Sequence, residues 1–150
     1  MNKLLLLILL LPVVGMAQTS RNANPDGIVG MYRVDHAGQH SKVKVFKTKN
    51  GTYSAMCVYL KDSINPKTGK LYLDIKNPDK SLRNTPCNRI IIFQGMKYND
   101  KKQRWEGGKI YDPTRGIRAN CACQFETDSK LSIRGSIMGI GETVTWCLLD

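Results

Sequence analysis

Three short groupings in this chain carry residue types that could do chemistry. The first is Cys121 and Cys123, two thiols separated by one residue. Alternate residues of a strand share a face, so the pair could chelate a soft metal with Cys57 or Cys147 beside it. The second is His36 and His40, the two histidines of the chain. Their spacing suits a metal only on a helix, and Gly38 between them argues for a loop. The third is Gly107-Gly108-Lys109, which has the look of a phosphate loop. Such loops need more glycines and a strand-to-helix transition, whereas here a strand runs on to Tyr111.

Each grouping has a plainer reading that outweighs the chemical one. Cysteine is among the most commonly buried residues, and cysteines on neighbouring strands form disulfides in oxidising compartments. Cys121 and Cys123 are poor partners for each other, because their parallel side chains stretch disulfide geometry. The cysteines number five, so at least one is unpaired within its own chain. No serine sits in a nucleophile elbow, and the acids Asp26, Asp35, Asp112 and Glu142 are scattered. A thiol nucleophile built from Cys57 or Cys87 with His36 would need a low-pKa, accessible thiol. The residues therefore predict a non-enzyme, with no catalytic residue, no metal and no cofactor.

The elements that must position these residues are strands. Residues 42–48 alternate Lys42-Val43-Lys44-Val45, a half-exposed strand, and Asn50-Gly51 then signals a hairpin into residues 52–60. Residues 117–126 alternate over their whole length, with Cys121, Cys123 and Phe125 on one face. With 28–34, 89–93, 104–111, 131–137 and 143–149, the count of main strands reaches eight. Short connections between them suit an all-β, antiparallel up-and-down barrel, which removes exposed sheet edges. A two-sheet sandwich would show the same alternation. Residues 35–41 and 95–103 read as polar turns, and 61–88 as a long irregular connection. Within that connection, 71–75 reads as a short strand and 78–83 as one helical turn capped by Asn77.

The N-terminus reads differently. A basic start, an apolar run and Gly15-Met16-Ala17 predict a signal peptide over residues 1–17, too short to span a bilayer. Export to the periplasm or the medium is the expectation. Residues 18–27 are polar and predict a flexible leader, and 28–150 form the barrel domain. The formal charge of +11 favours solubility or an anionic envelope partner. Nucleic acid is not expected, because the basic residues lack the aromatic interleaving that single strands need.

An eight-stranded barrel either is filled by its side chains or holds one small ligand. The candidate lining is Tyr32, Tyr53, Tyr59, Trp105, Tyr111, Cys121, Cys123, Phe125, Arg134 and Trp146, set to bind a small lipid-like or other apolar ligand. Phe93 belongs with the same set. An envelope-associated protein with a fully packed barrel is the competing reading. Trp105 and Tyr111 share a strand face unless the paired glycines form a bulge, which would send them to opposite faces.

The chain resembles the DUF2147 family of small exported bacterial proteins. The likeness is strongest at Trp105-Glu106-Gly107-Gly108-Lys109-Ile110-Tyr111-Asp112-Pro113 and Gly116. It also runs through Gly30-Met31-Tyr32, Asn77-Pro78-Asp79, Leu131 to Gly135, and Thr145-Trp146. The resemblance implies a lipocalin-like fold, export and, by analogy, apolar-ligand binding. Two departures stand out: Tyr32 where the family usually has Trp, and Ile117-Arg118-Ala119 where it has Lys-Thr-Tyr. By the lipocalin analogy, Tyr32 and Arg134 would form an aromatic-arginine closure.

Overall fold

The computed structural model describes residues 19–150. The expected signal peptide lies outside the described residues. The strands are β1 (Gly30–His36), β2 (Gln39–Lys47), β3 (Tyr53–Leu60), β4 (Ile91–Asn99), β5 (Arg104–Asp112), β6 (Ile117–Thr127), β7 (Lys130–Ile137) and β8 (Ile140–Leu148). They form one closed barrel in sequence order, each antiparallel to the next. Closure comes from β8 pairing with β1, Tyr32 opposite Leu148 and Arg33 opposite Cys147.

Period-two alternation decides what faces inward. Val43 and Val45 are buried while Lys42 and Lys44 are exposed. On β6, Cys121, Cys123 and Phe125 are buried in turn. Two strands break the rhythm with a bulge. Gly107 has φ +80°, and the β5–β6 register shifts between Glu106 and Gly108. Gly95 on β4 has φ +73°, so Phe93 and Met96 both face the core across it. Gly108 has no room for a side chain: a Cβ there would lie 2.5 Å from both the Gln94 carbonyl oxygen and Met96 Sδ. The paired glycines of the signature thus do separate jobs, one turning the strand and the other letting β4 approach.

Several local expectations change. β4 runs to Asn99, where residues 95–103 suggested a turn; the Gly95 bulge continues the strand, and Met96 and Tyr98 still pack inward. β1 and β2 reach His36 and Gln39, leaving a tight turn at Ala37 and Gly38, both at positive φ. Residues 71–75 make only isolated bridges, Ile64 with Leu71 and Leu73 with Pro86. The turn expected over 78–83 is a 3-10 turn, Lys80–Leu82, whose cap is Asp79 and not Asn77.

The largest correction concerns the leader. Its polar composition suggested a flexible segment, yet Ser20–Ala23 and Pro25–Ile28 form two 3-10 turns against one end of the barrel. Their polar groups satisfy groups of the barrel. Buried Asn22 both donates to the Phe125 carbonyl and accepts from the Phe125 N–H, each at 2.8 Å. Trp105 Nε1 donates to the Pro25 carbonyl at 2.9 Å, and Tyr98 Oη to the Asn22 carbonyl at 2.7 Å. Tyr32 Oη donates to the Ile28 carbonyl at 2.7 Å. A tyrosine or tryptophan buried at this end therefore finds its partner in the leader. Arg21 lies over the Phe125 ring, 5.6 Å from its centroid, so the arginine stacked on an aromatic ring at this end comes from the leader. Arg134, the residue expected there, is exposed on β7.

Candidate functional site

Aromatic side chains fill the closed half of the barrel. Trp105 meets Phe125 edge-on at 6.1 Å and Tyr98 at 5.4 Å. Tyr32 contacts Trp146 at 6.0 Å, and Phe93 stacks on Trp146 at 5.6 Å. Above that stacked pair the side chains become small and aliphatic: Val34, Val43, Ile92, Ala119, Ile133 and Val144. Smaller residues on the same barrel circumference leave space. The result is a cavity of about 1040 Å³ that opens at the opposite end from the leader, with Trp146 in its floor.

Four connections frame the mouth: the turns after β1, β5 and β7, and the long segment 61–90 between β3 and β4. The β5–β6 turn is tied across the mouth by ion pairs. Arg115 meets Asp112 at 2.7 Å and Glu142 at 3.0 Å. Burial works to raise the Asp112 carboxyl, but hydrogen bonds from Thr114 and Arg115 outweigh it and hold the group below its ordinary range.

Segment 61–90 is clamped to the barrel by a buried carboxylate. Asp74, 4% exposed, accepts from Tyr111 Oη at 2.6 Å and from Asn77 Nδ2 at 2.7 Å. Arg118 stacks over the Tyr111 ring at 5.3 Å and donates to Asn77 Oδ1 at 3.1 Å. Lys76 Nζ donates to the Thr114 carbonyl at 2.7 Å. Gly116, at φ +69°, passes so close that a Cβ would lie 2.4 Å from the Lys76 carbonyl oxygen. Burial first, then the Asp74 hydrogen bond and charge, push the Tyr111 hydroxyl well above its ordinary pKa.

The expected site residues divide into distinct groups. Trp146 lines the cavity, and Tyr111 borders its rim with the ring on the outer side of β5. Tyr32, Tyr53, Trp105 and Phe125 are buried in or beside the closed half and its leader contacts. Cys121 and Cys123 are core residues, 4% and 3% exposed, and stand outside the cavity lining. Tyr59 is half exposed beside Lys42, and Arg134 also faces out, so neither reaches the interior. Tyr111 has crossed to the other side of β5 relative to Trp105: Ile110 packs on the core, while Tyr111 is covered by segment 61–90. The Gly107 bulge produces that switch. The aliphatic walls and Asp74 were missed as site residues. Alternation in residues 42–48 and 117–126 pointed to Val43 and Ala119 as inward-facing, but an aspartate far along the chain carries no local signal of its tyrosine.

The thiol and metal readings find little support in this geometry. All five cysteines are free thiols in the structure, without the expected disulfide. Burial pushes the Cys121 thiol up to about 12 and raises Cys57, Cys87 and Cys123 as well. That is the reverse of what a nucleophilic thiol needs. His40 pairs with Asp35 at 2.7 Å. Among the described residues, no group of three or more His, Cys, Asp or Glu is placed to hold a metal.

A closed eight-stranded antiparallel barrel, plugged at one end and open at the other, is a lipocalin-like fold. Residues 30–147 match a family described as "Uncharacterized protein conserved in bacteria (DUF2147)", and the chain belongs to that family. A solved structure described as "Protein HP1028 from the human pathogen Helicobacter pylori belongs to the lipocalin family" is similar to it in fold. The two share 23% identity with a TM-score of 0.62, over 81% of this chain and 82% of that one. No curated protein matches the chain. The signature stretches Tyr111-Asp112-Pro113 with Gly116 and Asn77-Pro78-Asp79 are, in space, the two halves of the clamp on segment 61–90.

Proposed function

We propose that this protein is an exported binder of one small apolar or amphipathic molecule, held in the open half of the barrel. The observation that carries the reading is the cavity of about 1040 Å³ with aliphatic walls above a packed aromatic floor. Burying hydrocarbon there is favourable by about 0.8 kcal/mol per methylene. The charged residues at the mouth, Lys61, Lys76 and Arg115 with Asp112 and Glu142, leave a polar headgroup in contact with water and charge. Binding, without turnover, is the proposed activity. The basic start and apolar run within residues 1–17 support delivery to the periplasm or the medium.

The test is to extract molecules bound to protein purified from its native compartment and identify them by mass spectrometry. In parallel, long-chain fatty acids compete against an environment-sensitive naphthylamine probe. Displacement that strengthens with chain length is expected, and Ala119→Trp, which fills the cavity, abolishes it while the fold is kept. An empty extract together with no displacement sinks the reading.

A further inference from the structure

The mouth of the cavity carries a collar of apolar side chains that the fold leaves in water. On the β7–β8 hairpin, Ile137 is 48% exposed, Met138 95% and Ile140 83%. Across the mouth, Ile75 is 70% exposed, with Leu73 and Ile117 beside it at 42% and 40%. All six border the cavity, so the exposed collar and the apolar walls form one continuous surface. Single exposed hydrophobic residues need no explanation, but a contiguous group around a pocket does.

Met138 sharpens the point. It sits at φ +51° in a tight turn, next to Gly139 at φ +81°. Such a turn favours Asn or Gly, and a left-handed conformation is costly for other residues. Neither burial nor backbone conformation calls for methionine at this tip. What an exposed methionine offers there is a flexible apolar contact with something outside the molecule.

The charge beside the collar identifies that contact. Segment 61–90 leaves the rim at Lys61 and returns to it at Tyr72. Between them, Ile64 pairs with Leu71 in a small projecting turn that exposes Lys67 and Lys70. Lys76 and Lys80 follow, also exposed. The acids near them are largely engaged: Asp74 is buried on Tyr111, Asp79 caps Ser81, and Asp112 and Glu142 hold Arg115. Asp62 and Asp79 are exposed here without an ion pair among the described residues, against the five lysines Lys61, Lys67, Lys70, Lys76 and Lys80. Apolar tips interleaved with lysines are the pattern that seats a protein on an anionic lipid surface.

We propose that the mouth face docks on an anionic phospholipid bilayer, with the Met138 hairpin and Ile75 inserted between headgroups and Lys67 and Lys70 over lipid phosphates. In that pose the cavity opens into the acyl layer. The docking stands on the collar and its lysines, independent of whether the cavity holds a ligand, so vesicle binding and ligand uptake are read separately.

The test is co-sedimentation of the folded protein with vesicles of phosphatidylcholine containing about one third phosphatidylglycerol. Binding is expected to exceed that to pure phosphatidylcholine by about tenfold and to weaken in high salt. Met138→Asp with Ile140→Asp removes the apolar contact, and Lys67→Glu with Lys70→Glu the charged one. Each pair lowers binding about tenfold or more. Thermal melting confirms that these exposed positions leave the fold intact, and the Lys67 and Lys70 variant, which lies outside the cavity lining, keeps naphthylamine displacement while it loses vesicle binding. Equal binding to both vesicles, no binding at all, or full binding by the Met138 and Ile140 variant overturns the proposal. So does a dimer in solution that the same variant dissociates, because the collar would then cover a second copy of the chain.

Discussion

Tyr111 and Asp74, separated by 37 positions in sequence, meet at 2.6 Å with the tyrosine hydroxyl donating to a buried carboxylate. This bond fastens the longest connection of the chain to the barrel wall beside the cavity mouth. Tyr111→Phe leaves Asp74 with one fewer donor in a site where unmet charge is expensive. The expected loss of stability is about 1–3 kcal/mol. The effect should also be local: amide exchange quickens at Asp74, Tyr72 and Cys87, whose N–H groups bond within segment 61–90. A variant that melts lower with no change in that exchange would show that the bond does not hold the segment.

The paired glycines separate by mechanism. Gly107→Ala meets open space but forces alanine to φ +80°, at a cost of about 1–2 kcal/mol. Gly108→Ala places a methyl 2.5 Å from a backbone oxygen of β4, which must move to admit it. That change should cost about 3 kcal/mol, at the upper end for overpacking. Urea denaturation of the two variants checks the order, and equal midpoints would contradict the assignment of the bulge to Gly107.

The barrel was legible because its strands obey one rule. Where one face is buried and the other wet, alternation marks the strand, as on β2 and β6. Asn50-Gly51 announced a hairpin, and it lies between β2 and β3. The errors fall where a polar residue is buried or a glycine continues a strand. Gly95 looked like a terminator and is a bulge. Asn22 looked like leader and is a core residue, because its amide completes the backbone hydrogen bonding of Phe125. The candidate site was half legible for a related reason. Aromatic residues signal a core, but a cavity needs small ones, and Val43, Ala119 and Val144 look like ordinary strand residues until the opposite wall is known.

Acid should loosen the mouth. Asp112 is held below its ordinary pKa in the folded protein, so its contribution is present above the unfolded value, roughly 3.9. It is lost as the pH falls through the lower, folded value. Asp35 and Glu106 are depressed in the same direction by His40 and by Asn99 with Arg104, and share the acid limb. Asp112→Asn therefore removes only its own part. The wild-type protein should lose more stability than this variant between about pH 6 and pH 3, measured by urea midpoints. Identical losses would mean that the Arg115 tie does not titrate.

Thiol labelling reports on the cavity directly. Cys57, Cys121 and Cys123 are buried at 4%, 4% and 3% exposure, while Cys87 and Cys147 are half-buried. Alkylation of the native protein at mildly alkaline pH should reach Cys147 and Cys87 first. Burial raises the Cys87 thiol, which slows it by holding back the thiolate. Cys121, with its pKa near 12, waits for unfolding. Cys57 and Cys87 both border the cavity, whereas Cys147 does not. A fatty acid seated between the aliphatic walls should slow labelling of Cys87 and leave Cys147 unchanged. The ratio of the two rates, followed by peptide mass spectrometry, separates occupation of the cavity from adhesion elsewhere on the barrel. Equal protection at both cysteines would place the ligand outside it.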